Sequence, residues 1–262
     1  MKSKPSITGF TNEEPIPVPG RSFACYRKSS TAYPHWSVPL LFNLPAPQKR
    51  QVEPTFLFGG RALSISPWFW TLAAFASGSV PYSFLIGKLL FHTDIRKVGD
   101  GNPGATNVIR AGGRLSGGMA VLLDALKATI PVGLVFYGHR PPILWMTIIA
   151  LAPLAGHLFT PWLGWRGGKG VSTTFGLWAA LTLGEVPLIL GSFMLLYIFL
   201  IENSGWAVML SMLGVLGHLL VNHPDPLFLL IWIGNAILLG WAHRADLRTR
   251  PRLRSRWGRN LP

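Results

Sequence analysis

Seven apolar segments follow one another from residue 66 onward, and they constrain the fold more than any other feature. They lie at roughly 66–91, 118–137, 142–163, 171–185, 186–202, 205–221 and 227–242. Backbone polar groups cannot stay unpaired in hydrocarbon, so such segments cross a bilayer as helices. Several are shorter than the ~20 residues that span it comfortably, and the division near 184–187 is the least sharply defined. We predict an all-α integral membrane protein with about seven transmembrane helices.

The composition also favours lipid over water as the surroundings of these segments. Hydrophobic residues make up 49% of the chain and charged residues 13%, with a mean hydropathy of +0.36. The net charge of +14 is concentrated outside the apolar segments, with seven arginines between 244 and 259. A nucleic acid would need a basic face on a water-exposed domain, so we expect no nucleic-acid partner. The single cysteine, Cys25, excludes an internal disulfide.

The chain divides into three parts by composition. Residues 1–64 carry nine prolines and eight Lys/Arg without sustained apolar periodicity, which is typical of a flexible leader. Residues 65–243 form the predicted membrane domain. Residues 244–262 form a basic tail suited to anionic lipid head groups.

The loop charges predict the orientation of the bundle. An odd number of spans places loops 92–117 and 164–170 and the arginine-rich tail on one side, and these segments carry most of the loop Lys/Arg. The positive-inside rule makes that side cytoplasmic. Two glycine-rich loops then meet at the cytoplasmic face, and we expect the protein to lie in the cell inner membrane.

The stretch GHLFTPWLGWRGGKG at 156–170 places Lys169 among glycines directly after an apolar segment. Glycines allow backbone N–H groups to close on an anion, and the lysine adds a point charge. This pattern predicts a phosphate site at the membrane surface. Arg166 and His157 also have simpler interpretations, since a cation near a span end often extends to the interface and a histidine there often only hydrogen-bonds a helix end.

A second glycine-rich loop, DIRKVGDGNPGATNVIR at 94–110, combines glycines with Asn102, Thr106, Asn107 and Arg110. These donors and acceptors suit a phosphorylated, hydroxylated ligand. The same residue types also build ordinary turns and helix caps. Asp124 and Lys127, three residues apart in an apolar run, form either a structural ion pair or a wall of the site.

The last helix end, WAHRADLR, brings His243, Arg244 and Asp246 near the membrane surface. His243 and Asp246, three apart, could face the same pocket as the two loops. The sequence contains no nucleophile elbow, no HExxH and no acidic cluster for a divalent ion. We therefore expect neither a metal nor a cofactor.

Four motifs together resemble the bacterial acyl-phosphate:glycerol-3-phosphate acyltransferase family (PlsY type). They are the GDGNPGATNVIR loop, the LLDALK segment, GHLFTPWLGWRGGKGVSTTFG and the terminal AHRADLR, which occur in the family's order and spacing over about residues 75–250. The resemblance implies transfer of an acyl group from acyl phosphate to the 1-hydroxyl of glycerol 3-phosphate, giving lysophosphatidic acid and phosphate. It implies no coenzyme A, and it makes the two substrates and the membrane lipids the expected partners.

The same resemblance implies roles for individual residues. His243, Lys169 and Asn107 are the expected catalytic residues. The expected substrate contacts are Asp100, Asn102, Gly104, Thr106, Asn107, Arg110, Lys127, His157, Gly167, Gly168, Lys169, Gly170, Ser204, His243, Arg244 and Asp246. The family usually has serine in place of Asp100 and asparagine in place of Asp246, so these two carboxylates predict repulsion of bound phosphate. A non-catalytic relative that binds phospholipid precursors, and a transporter of phosphate or organic anions, are the alternatives.

Overall fold

Ten α-helices are present in the computed structural model, which describes residues 66–254. They are α1 (Pro67–Ser79), α2 (Tyr82–Phe91), α3 (Ala105–Gly112), α4 (Arg114–Gly138), α5 (Ile143–Leu158), α6 (Val171–Thr182), α7 (Glu185–Leu200), α8 (Ser204–Asn222), α9 (Pro226–Ala242) and α10 (Arg244–Leu247). Two 3-10 turns, Ile95–Lys97 and Pro161–Leu163, lie in the loops. The predicted leader, 1–64, lies outside the described residues, and its boundary stays a prediction.

Seven helical segments run between two ends of the bundle, because α1 and α2 together form one of them and α4 to α9 form six more. Within residues 66–254, four segments are long and apolar enough to cross a membrane: Pro67–Phe91, Arg114–Gly138, Ile143–Leu163 and Ser204–Asn222. Helices α7 and α9 are shorter and apolar. The predicted all-α bundle of about seven long segments is confirmed, including the division at Gly184.

Local sequence explains several helix boundaries. Ser66 caps α1 by accepting a hydrogen bond from the backbone N–H of Trp68, and Asp225 caps α9 in the same way through Leu227. Pro81 lacks a backbone N–H and separates α1 from α2. The 8-residue α3 lies within the segment that the sequence analysis treated as a loop.

Small residues allow the helices that hold the site to pack closely. Gly78 of α1 lies against the backbone of Pro153 in α5, and Gly176 of α6 lies against the backbone of Ala125 in α4. A side chain at either glycine would overlap the neighbouring helix. Within the core, Trp178 donates to Asn235, which donates in turn to Thr174, so these buried polar groups are paired.

The loops gather at two opposite ends. We call the end with loops 92–104 and 159–170 the site end, and the end with 139–142, 183–184 and 223–225 the far end. At the site end, residues 249–254 run beside the start of α8, with an antiparallel bridge between Ile201 and Leu253. Trp206 and Asn203 donate hydrogen bonds to Thr249 at 2.8 and 2.7 Å, which fixes the chain that follows α10.

Candidate active site

A pocket of about 580 Å³ opens at the site end, between the two glycine-rich loops and the end of α9. Its polar wall carries four cationic side chains and two carboxylates, and its apolar wall carries leucine and tryptophan. The lining residues used below are Asp94, Arg96, Asp100, Asn102, Leu158, Leu163, Trp165, Arg166, Gly167, Gly168, Lys169, Trp241 and Arg244. The pocket thus combines positive charge with an apolar surface.

Lys169 lies between two carboxylates that come from distant parts of the chain. Its Nζ is 3.2 Å from Oδ2 of Asp100 and 3.0 Å from Oδ2 of Asp246. The lysine side chain is 26% exposed, and those of Asp100 and Asp246 are 50% and 27% exposed. A lysine ammonium has three N–H donors, so these contacts leave one donor beyond the two carboxylates.

The glycines around Lys169 are explained by close contacts with α5. A Cβ at Gly167 would overlap the backbone carbonyl of His157, and a Cβ at Gly168 would overlap the imidazole of the same residue. Gly170 adopts φ +84 as the N-cap of α6, a left-handed conformation that favours glycine. These glycines therefore hold the lysine loop against the end of α5 and turn the chain into α6.

Asn107 fixes Asp100 from beneath the loop. Its side-chain amide is fully buried in α3 and donates to Oδ1 of Asp100 at 3.0 Å and to the carbonyl of Asn102 at 2.9 Å. Arg110 donates to the Asn107 side-chain oxygen at 3.0 Å, and the backbone N–H of Asn102 donates to Asp100. Asn107 therefore acts on the pocket through Asp100.

His243 fixes Asp246 in a similar way. Its Nδ1 lies 3.2 Å from Oδ2 of Asp246, and the Ser204 hydroxyl donates to the same oxygen at 3.4 Å. A carboxylate can only accept, so Nδ1 carries the proton and Nε2 holds the lone pair of the neutral ring. Nε2 is buried and has no hydrogen-bond partner among residues 66–254. Gly205 allows this arrangement, since a Cβ there would lie 2.6 Å from Cβ of Asp246.

The ion pairs shift the pKa values of the three charged groups. Burial raises the pKa of Asp100 and Asp246, but hydrogen bonds from Asn102 and Lys169 to Asp100, and from Lys169 and His243 to Asp246, outweigh it and leave both values below the ordinary range. Burial lowers the pKa of Lys169, and the two carboxylates more than reverse this effect. Burial also lowers the pKa of His243 below its ordinary value, which favours the neutral ring.

A buried polar network lies behind the glycine loop. Lys127 Nζ is 2.7 Å from Oδ1 of Asp124 and 2.7 Å from Nδ1 of His157, and it donates to the carbonyl of Val80 at 2.9 Å. Ser83 donates to the other oxygen of Asp124. Lys127 and His157 are buried, and they line a second cavity of only about 10 Å³ beside the glycine loop. This geometry favours the interpretation of Asp124 and Lys127 as a structural ion pair.

Three arginines add to the positive charge of the pocket. Arg96 forms a two-pronged ion pair with Asp94, with Nη2 and Nε at 2.7 and 2.9 Å from its carboxylate oxygens. Arg244 lies over the ring of Trp241 at 4.2 Å. Arg166 is exposed at the pocket wall. Among the described residues, Arg166 and Arg244 have no close carboxylate partner, so the site presents these two arginines in addition to the paired Lys169.

A protein-family model matches most of the described residues. The model described as glycerol-3-phosphate acyltransferase matches residues 68–250, which include both glycine-rich loops, Lys169 and the Asp246 segment. The chain belongs to the glycerol-3-phosphate acyltransferase family. The resemblance predicted from the four motifs is confirmed.

Individual members of the glycerol-3-phosphate acyltransferase family are similar over different lengths. The acyltransferase of Anaeromyxobacter sp. (strain K) is 45% identical over 112 residues, which cover 42% of this chain and 56% of that protein. That match therefore spans little more than half of the relative. The acyltransferase of Anaeromyxobacter dehalogenans (strain 2CP-C) is 37% identical over 67% of this chain and 89% of its own length. Glycerol-3-phosphate acyltransferase 1 of Thermotoga maritima is 32% identical, with coverages of 69% and 96%.

Solved structures of the family show the same fold. The integral membrane glycerol 3-phosphate acyltransferase PlsY (YgiH) in its glycerol 3-phosphate form superposes with a TM-score of 0.63 at 29% identity, over 70% of this chain and 90% of that one. Its lysophosphatidic acid form gives a TM-score of 0.62. Together with the apolar helices, this similarity confirms the predicted multi-pass membrane protein.

Most residues predicted from the family motifs lie together at the site end. Asp100, Asn102, Gly167, Gly168, Lys169 and Arg244 line the pocket. Asn107, Arg110, Ser204, His243 and Asp246 form the hydrogen-bonded layer that supports them, and Lys127 and His157 lie behind the glycine loop. Gly104, Thr106 and Gly170 are not among the lining residues. Lys169 alone of the three predicted catalytic residues lines the pocket.

The lining residues that the sequence motifs did not indicate include Arg96, Trp165, Arg166 and Trp241. Arg96 lies in a basic loop that predicts the orientation, and Arg166 was interpreted as a cation that extends to the interface, although each lies within four residues of a glycine in its loop. Their closeness to the loop glycines was the signal that could have indicated two site residues. The two tryptophans carry no comparable signal, since tryptophan is common near membrane surfaces.

Proposed function

We propose that this protein transfers an acyl group from acyl phosphate to the 1-hydroxyl of glycerol 3-phosphate. The hydroxyl oxygen forms an ester bond with the carbonyl carbon, the bond from that carbon to the phosphate oxygen breaks, and the hydroxyl proton leaves with phosphate. The products are lysophosphatidic acid and inorganic phosphate. Family membership and the solved relatives, named in glycerol 3-phosphate and lysophosphatidic acid forms, support this activity.

The placement of Lys169 carries the proposal. Its ammonium lies in a glycine loop, facing a pocket with Arg166 and Arg244, and its partners in the free protein are carboxylates. A phosphate oxygen is a charge-assisted acceptor like a carboxylate oxygen. Substrate phosphate can therefore displace Oδ2 of the half-exposed Asp100 from Lys169, while Oδ1 keeps its hydrogen bonds from Asn107 and the backbone N–H of Asn102. Asp246, held by His243 and Ser204, stays in place.

The chemistry requires little from the protein beyond positioning and charge. An acyl phosphate is a mixed anhydride with a good leaving group, so the acceptor hydroxyl can attack it directly without a covalent enzyme intermediate. Lys169 and the arginines neutralise the phosphate charge that develops on the leaving group. Both a substrate phosphate oxygen and Nε2 of His243 could accept the proton. The burial of Nε2 behind the pocket favours the phosphate oxygen.

The apolar wall provides a place for the acyl chain. Leu158, Leu163 and Trp241 line the pocket on the side of α5 and α9, and Trp241 packs against Phe159 with ring centroids 4.7 Å apart. A single-chain acyl phosphate would place its head among the cations and its chain along this wall. The chain would continue between helices into the bilayer.

Charge placement supports a cytoplasmic site end and an inner-membrane location. The site end carries Arg96, Lys97, Arg166, Lys169 and the arginines that follow α9, whereas the far-end loops of the described part carry a single arginine, Arg140. The positive-inside rule assigns the more basic end to the cytoplasm. This side is also where a soluble glycerol 3-phosphate would be available to a biosynthetic enzyme.

A second candidate function follows from the two carboxylates at Lys169. With Asp100 and Asp246 both bound to it, the lysine is neutralised in the free protein, which favours a relative that binds phosphorylated lipid precursors without transferring an acyl group. An anion transporter would also use such cations, but it would need a polar route through the bundle.

One assay separates these functions. Purified full-length protein in detergent or lipid cubic phase is mixed with radiolabelled glycerol 3-phosphate and palmitoyl phosphate. Labelled lysophosphatidic acid is the expected product, with an equal amount of phosphate released. Binding of glycerol 3-phosphate without product would instead support the non-catalytic relative. Uptake of label into proteoliposomes without acyl transfer would support the transporter.

A further inference from the structure

Three metal-binding side chains converge at the far end of the bundle, away from the Lys169 pocket. Glu185 is the first residue of α7, His218 lies in the last turns of α8, and His223 follows the end of α8. One ligand atom from each lies within 4.8 Å of the other two. These residues carry no role in the proposed acyl transfer.

Both histidines of the cluster contact the carboxylate of Glu185. Nε2 of His218 lies 2.8 Å from Oε1 of Glu185, and Nε2 of His223 lies 2.9 Å from Oε2 of the same carboxylate. The centroids of the two imidazole rings lie 5.8 Å apart, with the ring planes inclined by 57°. Both histidines thus direct the same ring nitrogen, Nε2, at one carboxylate.

The local fold explains this convergence. Leu183 and Gly184 both adopt left-handed conformations, with φ of 50 and 99, and they turn the chain from α6 into α7. This turn places Glu185 beside the end of α8. His223 is the C-cap of α8, and its ring reaches the same carboxylate as that of His218. His218 and His223 are spaced as zinc ligands often are, but Glu185 lies 33 positions before His218, so no local motif joins all three.

We propose that Glu185, His218 and His223 bind a divalent transition-metal ion, with Zn²⁺ the best fit to this donor set. Two imidazole nitrogens and one carboxylate are a common set of protein ligands for zinc, with a fourth position left to water. Hard cations such as Mg²⁺ prefer oxygen ligands and suit this cluster poorly. The motifs of the sequence predicted no metal site.

The cluster can open to take the ion. Zinc ligand distances of about 2.0–2.2 Å in a tetrahedral site place ligand atoms roughly 3.3 Å apart, so the two carboxylate–imidazole distances must lengthen by about 0.5 Å. The Glu185 side chain is 45% exposed and can move by this amount, and the exposure also lets the ion enter. His218 and His223, 15% and 30% exposed, supply the two imidazole donors.

The bound ion would tie the start of α7 to the end of α8 and to the loop that begins α9. These contacts lie at the far end, so metal binding would stabilise the bundle without touching the substrate pocket. A ligand that binds only the folded protein raises the unfolding midpoint by mass action. The proposal therefore predicts a stability change that does not depend on acyl transfer.

The test titrates Zn²⁺ into full-length, tag-free protein that has been stripped with EDTA, using isothermal calorimetry in detergent. Wild type and His92→Asn should bind about one Zn²⁺ per chain, whereas Glu185→Gln and His223→Asn should bind at least tenfold more weakly. His92 lies at the site end and is a matched control, since asparagine tolerates its left-handed conformation. Mg²⁺ should give no comparable binding.

Two further readouts guard against a folding defect. Zn²⁺ should raise the thermal unfolding midpoint of wild type and His92→Asn but not of His223→Asn, and Co²⁺ in place of Zn²⁺ should give the visible absorption of a four-coordinate site only in the first two. Absence of Zn²⁺ binding to wild type would overturn the proposal. Equal affinities in all four proteins would also overturn it.

Discussion

The ammonium of Lys169 lies 3.0 Å from a carboxylate oxygen of Asp246, a residue 77 positions later in the chain. This ion pair, with the second one to Asp100, changes how the two aspartates should be interpreted. Their position alone predicts repulsion of a substrate phosphate. The structure adds an attractive partner for each carboxylate, so the cost of phosphate binding includes the exchange of an existing ion pair.

Replacement of Lys169 tests the phosphate site directly. Lys169→Met should reduce kcat/KM for acyl transfer at least a hundredfold, because a lost charge-assisted contact in a partly dehydrated site removes ~3 kcal/mol of transition-state stabilisation. Lys97→Met removes an exposed lysine from the same end of the bundle and should leave the rate within threefold of wild type. Equal rates for both variants would contradict the assigned role of Lys169.

The double change Asp100→Ser with Asp246→Asn tests the exchange of ion pairs. It should lower the KM for glycerol 3-phosphate, since Lys169 no longer needs to release a carboxylate, and the gain should shrink as salt screens the charges over ~8–10 Å. Initial rates at low and high salt measure this effect. Glu202→Gln removes an exposed carboxylate from the same end and is the control. Loss of activity in the double variant would instead show that the aspartates take part in substrate binding or catalysis.

The ion pairs also predict a pH dependence of stability. Asp100 and Asp246 have lowered pKa values, so they contribute stability above the ordinary aspartate pKa near 3.9, and this contribution is lost as the pH falls below about 4. Lys169 has a raised pKa, so its contribution is present below its ordinary pKa of about 10.4 and is lost as the pH rises further.

Thermal unfolding midpoints of wild type and Asp246→Asn should therefore differ most between about pH 5 and pH 10. Because the charged groups are partly exposed, the two proteins should differ in free energy of unfolding by ~1 kcal/mol or less. The two curves should approach each other below about pH 4. A constant difference from pH 3 to pH 7 would show that the ion pairs do not contribute.

Gly168 provides a steric test of the loop. A Cβ at this position would overlap the imidazole of His157, so Gly168→Ala must displace either the ring or the lysine loop. We expect at least a tenfold fall in kcat/KM. Gly118→Ala is the control, because a Cβ there meets nothing within 4 Å and alanine favours the helix. Normal kinetics for Gly168→Ala would show that the loop tolerates the movement.

The orientation of the bundle can be measured with single cysteines in a Cys25→Ser background. A cysteine at Lys97, exposed at the site end, should be blocked in intact cells only by a reagent that crosses the membrane. A cysteine at His139, exposed at the far end, should be blocked by an impermeant reagent. The reverse pattern would place the site end outside the cell.

Much of the fold follows from the sequence, because apolar length and glycine or proline breaks are local signals. The break at Pro81 and the short α3 were missed, since neither interrupts or creates a long apolar run. The glycine loop around Lys169 was predictable for the same local reason. The contact of Lys169 with Asp246 was not, because it depends on how α9 packs beside α5 and on the close approach that Gly205 allows.

The site is assembled from segments that leave the ribosome at different times. Asp100 and Asn107 follow the first span, Lys169 emerges after the third, and His243 and Asp246 come after the last. Until α10 has been made and docked against the start of α8, Lys169 can pair with Asp100 but not with Asp246. Completion of the phosphate-facing charge cluster is thus coupled to insertion of the final helix, so an unfinished chain in the membrane lacks the full set of groups that would handle an activated acyl donor.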